Sequence, residues 1–359
     1  MSVLEFCKEE NVSIISHKKY LEFVYKEGMF WEKLDMFDIK TPFRMDLEAE
    51  NVAKHMENGD NFVSQKKKKR KLEQNKTLQA EISYLKEKLT IFLSIKQVHF
   101  SEGPTIEDIR HNNKTLRENV KSLLQTLHSI NIPEVGQNTS NQCVEQGGVF
   151  LPPKSEFRKL DVANLDELGG STYDLILMDP PWSNKHVKRA KKTNVGYQMM
   201  DNDDLAQMPV RKLLKGAGLL FVWCTNKVKH RAAVRAWFGS WGVTMVGTWY
   251  WVKVTKHGEM VTQFTQDKQP YEVVIIGQKL GPEKSMMKYV KDGLVIFSLP
   301  SGIHSHKPPL TDLINTVVGG QMDRSWDRLD KLEIFGRYLL PGWVTVGNQP
   351  CLLNSLINI

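Results

Sequence analysis

Apolar positions along the chain change their rhythm near residue 149. Before it they recur at helical spacing; after it, short apolar runs alternate with amphipathic stretches. In the first part, Leu78, Ile82, Leu85, Leu89 and Phe92 alternate spacings of four and three. Beyond Gly103 and Pro104 the spacing returns in Ile106, Ile109, Asn113, Leu116, Val120, Leu123, Leu127 and Ile130. Each set is an apolar seam on a helix, and Thr105 with Asp108 fits a capping arrangement at the second start. The Gly-Pro turn predicts an antiparallel helical hairpin over 72–135. Its seam can close on itself, pack on the rest of the chain, or bind a partner helix. Asn113 on that seam sets register or reaches water. Residues 1–71 show no period, and their most apolar part, 28–43, reads as a docking segment. Residues 136–148, rich in Asn, Gln, Thr, Ser and Gly, read as a linker.

Over 149–359 the runs 173–178, 219–223, 243–254, 273–277, 294–298, 332–335 and 344–347 predict strands, and 203–214, 227–238 and 309–318 predict helices. Strands interleaved with helices mean an α/β layer fold with a mostly parallel, buried sheet. Ligands then bind at the carboxyl ends of strands.

Charge narrows the partners. Lys and Arg exceed Asp and Glu to give +8, which favours an anionic partner, most commonly nucleic acid. Lys66, Lys67, Lys68, Lys69, Arg70 and Lys71 form a dense basic run. It reads as a nuclear import signal, a phosphate-binding arm, or a solvated stretch flanking a helix. Four widely spaced cysteines without a Cys-x-x-Cys pair point to reduced, structural thiols. No apolar run is long enough to span a membrane, and Glu5 interrupts the apolar start, against a signal peptide. Nucleus or cytosol is the expected location.

The densest chemistry is Asp179-Pro180-Pro181-Trp182, directly after the apolar run 173–178. Two prolines end a strand and impose a rigid extended loop without N–H donors. What remains is a carboxylate and carbonyl oxygens beside an aromatic face. The exocyclic amine of adenine, N6, is a poor nucleophile because its lone pair is delocalised. Acceptors on its two protons, from Asp179 and the Pro180 carbonyl, favour the nucleophilic geometry, and they need no reorganisation as charge develops. Trp182 can stack on the base. A methyl group could then move in line from a sulfonium, with no metal. The bland reading is a strand-ending turn with a surface Trp.

This loop resembles the signature of nucleic-acid amino-methyltransferases, and this copy resembles the eukaryotic MT-A family of adenine-N6 methyltransferases. The likeness runs over about 150–349. Within the family, Leu151 to Ser155, Trp182 to Lys185, Lys188-Arg189, Lys268 to Glu272 and His304 to Leu310 are most similar to the methyltransferase-like protein 4 group. The resemblance implies a Rossmann-like domain that uses S-adenosyl-L-methionine, in permuted motif order, behind an α-helical N-terminal region. No Gly-x-Gly-x-x-Gly precedes Asp179; the cofactor motifs follow it, in Glu333 to Arg337 and Gly347 to Gln349. By resemblance, Asp161 and Val162 meet the cofactor adenine. Arg337, Asn348 and Gln349 meet its ribose or adenine edge. Ser305, His306 and Lys307 face its carboxylate, and Asp179 approaches its ammonium. Each has a plainer alternative, a turn cap or a solvated side chain. His304 and His306, two apart with no third ligand, make a poor metal site.

For substrate, Lys185, Lys188, Arg189, Lys191 and Lys192 suit phosphates flanking a target base, or a solvated loop. Tyr197, beside mobile Gly196, and Glu272 match family positions near the target. Trp223, Trp249 and Trp251 read as core. The group implies (2′-O-methyl)adenosine in RNA such as U2 small nuclear RNA. The alternatives are DNA adenine, or a catalytically silent nucleic-acid-binding subunit.

Overall fold

The computed structural model describes residues 3–25, 36–43, 65–97, 105–182, 200–264, 269–281, 290–303, 306–319 and 325–355; for 65–75, 106 and 128 it describes the backbone alone. The strands in chain order are β1 (Leu4–Cys7), β2 (Val12–Ile15), β3 (Val135–Gln137), β4 (Val144–Gln146), β5 (Val149–Leu151), β6 (Glu156–Lys159), β7 (Tyr173–Met178), β8 (Leu214–Cys224), β9 (Val243–Lys253), β10 (Tyr271–Lys279), β11 (Val295–Ser298), β12 (Lys331–Ile334) and β13 (Val344–Gly347). The helices are α1 (His17–Tyr25), α2 (Gln65–Lys96), α3 (Ile106–Ser129), α4 (Asn202–Ala206), α5 (Val210–Leu213), α6 (Val228–Trp241) and α7 (Thr311–Val317).

Eleven strands form one sheet in the order β1-β2-β11-β9-β10-β8-β7-β12-β13-β6-β3. From β6 through β13, β12 and β7 to β8 every pairing is parallel; β10 then runs antiparallel to both β8 and β9. This is the mixed α/β, largely parallel sheet that a Rossmann-like methyltransferase fold requires.

β7 shows why these residues make a central strand. Its side chains alternate between faces, so Leu175 and Leu177 enter one core layer while Ile176 and Met178 enter the other. All four are buried, each burial worth about 1.5–3 kcal/mol.

The two long helices lie on opposite layers. α2 crosses β2 and β11, sets Leu85 and Phe92 into the second layer, and stacks Phe92 on Phe297 at 4.6 Å. α3 sets Leu123 and Leu127 into the first layer, with the capping box of Thr105 and Asp108 at its start. The expected hairpin seam is therefore split: the α2 stripe packs on the sheet, while the α3 stripe enters the first layer at Leu123 and Leu127 and meets Ile39 and Val261 at Leu116. The seam read as a place for a partner helix is filled from within the chain. Asn113 donates to the Phe43 carbonyl at 3.1 Å, a contact open to solvent.

Three further expectations change. The stretch 136–148 is not a free linker: β3 pairs with β6 and β4 with β5. Gly147 and Gly148, with φ of 60° and 77°, form the tight turn between β4 and β5, where positive φ at both positions matches the strand twist. The helix expected over 203–214 is divided into α4 and α5 at Pro209, and Leu214 already opens β8. The aperiodic start is partly structural, since β1 and β2 extend the sheet beyond β11.

Candidate active site

The parallel strands all point their carboxyl ends at one cleft of about 880 Å³, within the roughly 300–1,000 Å³ usual for ligand pockets. Asp161 and Val162 enter it from beyond β6, Asn348 and Gln349 from β13, Phe335, Gly336 and Arg337 from β12, and Asp179 to Trp182 from β7. Thr225 and Asn226 follow β8, Lys253 ends β9, Glu272 stands on β10, and Lys307 completes the wall. Asp161 also caps the short 3-10 helix Val162–Leu168, accepting from the Ala163 N–H at 3.0 Å. Arg337 Nη2 donates to Gln349 Oε1 at 2.8 Å, joining the β12 and β13 loops. Phe335 has φ of 69°, a strained conformation for a bulky residue. It is held by its N–H to the Val346 carbonyl at 2.9 Å.

Charges alternate along the opposite wall. Lys307 Nζ lies 3.7 Å from Asp179 Oδ2 and 2.6 Å from Glu272 Oε2, while Lys253 pairs with Glu272 Oε1. Burial pushes the Asp179 carboxyl up to about 6, with Lys307 pulling against it and Glu272 adding to it. Glu333, buried on β12, is pushed up to about 8 by burial and then by Asp179. The Asp179 loop is thus backed by a carboxyl that is mostly neutral at pH 7.

The loop itself is tightly built. The Asp179 N–H continues the ladder to the Ile334 carbonyl at 3.3 Å, and the Trp182 N–H turns back to the Pro180 carbonyl at 2.7 Å. A carbonyl has two lone pairs, so the Pro180 oxygen keeps acceptor capacity. Trp182 differs from expectation. Its indole N–H donates to the Trp223 carbonyl at 3.1 Å. Its ring stacks on His230 at 4.7 Å and on Trp237 at 5.3 Å, nearly parallel to both. Those two residues are seven apart on α6, about 10.5 Å along the axis, so the indole sits between them. Trp182 is 6% exposed, and its faces meet protein rings where the sequence suggested a base. Burial keeps His230 down at about 4, hence neutral in that stack.

His306 is a second correction. It does not line the cleft; it is 1% exposed and packs on His17 at 4.3 Å and Tyr338 at 4.8 Å. Burial depresses it to about 3, so it carries no charge for a carboxylate to meet. Ser305, Lys185, Lys188, Arg189 and Tyr197 lie outside the described residues. Trp223, Trp249 and Trp251 are buried in the first layer. Sequence reasoning missed Lys253 and Asn226, and it named Glu333 only as the start of a motif. A charge closing a long apolar strand could have flagged Lys253; Asn226 leaves no such signal.

Residues 173–349 match the MT-A70 family model. The chain is 34% identical over 255 residues to the mouse N(6)-adenine-specific methyltransferase METTL4, covering 63% of this chain and 51% of that protein. It is 27% identical over 372 residues to a Caenorhabditis elegans DNA N6-methyl methyltransferase, covering 96% of each. It is 27% identical over 225 residues to the N6-methyladenosine RNA methyltransferase MTA1 of Pyricularia oryzae, covering 59% and 57%. The chain thus spans about half the length of the mouse protein and nearly all of the nematode one. The matched segment opens at the first residue of β7 and closes at Gln349, and so holds the Asp179 loop, the lysine–carboxylate wall and the β12 and β13 loops of the cleft: residues 173–349 are an MT-A70 domain.

Proposed function

We propose that the chain methylates the N6 of adenine in a nucleic acid, using S-adenosyl-L-methionine. One observation carries this: the Asp179 loop closes β7 inside a cleft that also holds Lys307, Glu272 and the polar β12 and β13 loops. The donor set fits the cofactor. Asp179 and Lys307 offer one carboxylate and one ammonium for its zwitterionic end; Asp161, Arg337, Asn348 and Gln349 offer polar contacts for its nucleoside end. Bound there, it would supply an electrophilic methyl on a sulfonium. The motif order is then permuted, since β7 and its loop precede the β12 and β13 cofactor loops in sequence.

The chain's own residues do the rest. Asp179 Oδ and the Pro180 carbonyl accept the two N6 protons and aim the nitrogen lone pair. Trp182, clamped by His230 and Trp237, fixes the loop so that these acceptors stay in place. On accepting the methyl group, N6 would release one proton. Asp179, with a pKa of about 6, is ionised at neutral pH and takes that proton before passing it to water.

RNA is the preferred substrate, with (2′-O-methyl)adenosine of the kind found in U2 small nuclear RNA as its type, and the nucleus as its place of action. The +8 charge supports a polyanion. A second reading, DNA adenine, is favoured by the nematode relative, whose name specifies DNA and which the chain matches end to end. The ribose 2′ position is the physical difference between them. Matched RNA and DNA oligonucleotides, compared for labelled-methyl transfer, test this: faster turnover of RNA is expected, and preferential turnover of DNA would replace the first reading with the second.

A further inference from the structure

The start of β10 is held from both faces. On one face, Glu272 pairs with Lys253 and Lys307. On the other face, Tyr271 donates its hydroxyl to Glu81 Oε2 at 2.6 Å, across 190 positions of sequence. Glu81 belongs to α2, and its other oxygen accepts from Arg231 Nη1 at 2.8 Å. Both side chains are largely buried, 10% and 18% exposed. Arg231 passes the contact on: its Nη2 donates to Asn226 Oδ1 at 3.3 Å, and Asn226 donates to the Tyr271 carbonyl. The guanidinium also lies 6.0 Å from the Tyr271 ring. One carboxylate from the N-terminal part of the chain thus closes a loop of contacts through Tyr271 and Asn226, and both of these line the cleft.

We propose that Glu81 is a positioning residue for the substrate side of the cleft, an inference that rests on the methyltransferase reading above. Successive strand residues face opposite ways, so fixing Tyr271 on the α2 face fixes Glu272 on the other, at the position read as meeting the target base. Fixing Arg231 fixes Asn226 at the end of β8. Glu81 also neutralises a buried cation. Without it the Arg231 guanidinium loses its buried counter-charge, which a buried ion tolerates poorly, and the Asn226 turn loses its reference. The cofactor residues beyond β6, β12 and β13 stand on the far side of the Asp179 loop and do not share this junction. Glu81 therefore governs nucleic-acid engagement and leaves the cofactor half of the cleft alone.

The test uses the full chain with Glu81→Gln, Tyr271→Phe and the double variant. Oligonucleotide Kd is read by fluorescence anisotropy, cofactor Kd by calorimetry, and methyl transfer in parallel. Glu81→Gln is expected to weaken oligonucleotide binding and raise its KM about tenfold, with cofactor Kd within twofold. Tyr271→Phe gives a smaller loss of the same kind, and the double variant is no worse than Glu81→Gln alone, because both act through one contact. Unchanged oligonucleotide Kd and KM in Glu81→Gln would overturn the proposal. So would equal losses of cofactor and oligonucleotide binding, which describe a merely structural residue. If Glu81→Gln fails to fold, Tyr271→Phe, which removes one hydroxyl, decides alone on the same readings. Failure of the methyltransferase reading shows separately, as a wild-type chain that binds neither ligand.

Discussion

The two walls of the cleft are assembled by different rules. One wall, the one proposed to hold the cofactor, is made of loops within four residues of the ends of β6, β13, β12 and β7, all parallel and adjacent. The facing wall is made of the antiparallel pair β9 and β10 and of Lys307, and α2 is tied to its back through Glu81, 190 positions from Tyr271. The first wall needs only the sheet to form. The second needs particular side chains to meet, and its charges are arranged so that each carboxylate has a lysine or arginine against it. Changes to the first wall should therefore abolish one interaction at a time. Changes to the second should spread.

The largest effect is expected at their meeting point. Asp179→Asn keeps the shape and removes the anionic acceptor, and transfer should fall roughly 10²–10³-fold, the range for losing one preorganised polar group. The same variant should melt higher. The carboxyl binds its proton more readily folded than unfolded, so its contribution to stability declines as pH rises from about 4 to about 6 and stays unfavourable above that. Removing the charge returns about 1–3 kcal/mol at pH 7, after allowance for partial exposure. A melting scan beside the activity assay checks both halves; a variant that is inactive and less stable would mean that Asp179 is structural.

Lys307→Met should spread its effect, as the second wall requires. It leaves Glu272 with Lys253 alone and Asp179 without its nearest cation. Cofactor Kd, measured by calorimetry, is expected to rise tenfold or more, about 1.4 kcal/mol, with a lower melting temperature. Wild-type cofactor affinity would detach Lys307 from the cofactor.

Acidification is the next step down. Transfer should decline tenfold per pH unit below about 6, as the Asp179 carboxylate takes one proton. A profile flat to pH 5 would remove Asp179 as the acceptor. The smallest effect on chemistry belongs to Trp182→Phe. Its ring works by packing against His230 and Trp237 and loses one hydrogen bond to Trp223, so stability should drop by about 1–3 kcal/mol while oligonucleotide affinity changes less than threefold. A stable variant that binds nucleic acid poorly would restore the base-stacking role.

The same division explains what was legible in the sequence. The run from Tyr173 to Met178 followed by two prolines states its own strand and its own end, and so places Asp179. The residues after β12 and β13 sit beside strands as plain as β7. By contrast, β1 and β2 are four residues each and become strands because β11, some 280 positions later, offers them an edge. The stripes on α2 and α3 were readable as helices, but periodicity does not say which surface covers a stripe: the sheet takes that of α2, while Ile39 and Val261 take part of that of α3. His306 looked like a charge beside Lys307; His17, from the other end of the chain, packs it into the core. Glu81 carries no local mark, because its meaning lies in Tyr271 and Arg231.

The most direct test is to feed labelled methyl from S-adenosyl-L-methionine to a short adenosine-containing RNA and to resolve the product nucleosides, with Asp179→Ala in parallel. Label on adenine N6 with the wild-type chain and none with the folded variant is the expected result. Label that persists on N6 in the variant, or appears on another atom in both, would contradict the role assigned to the Asp179 loop.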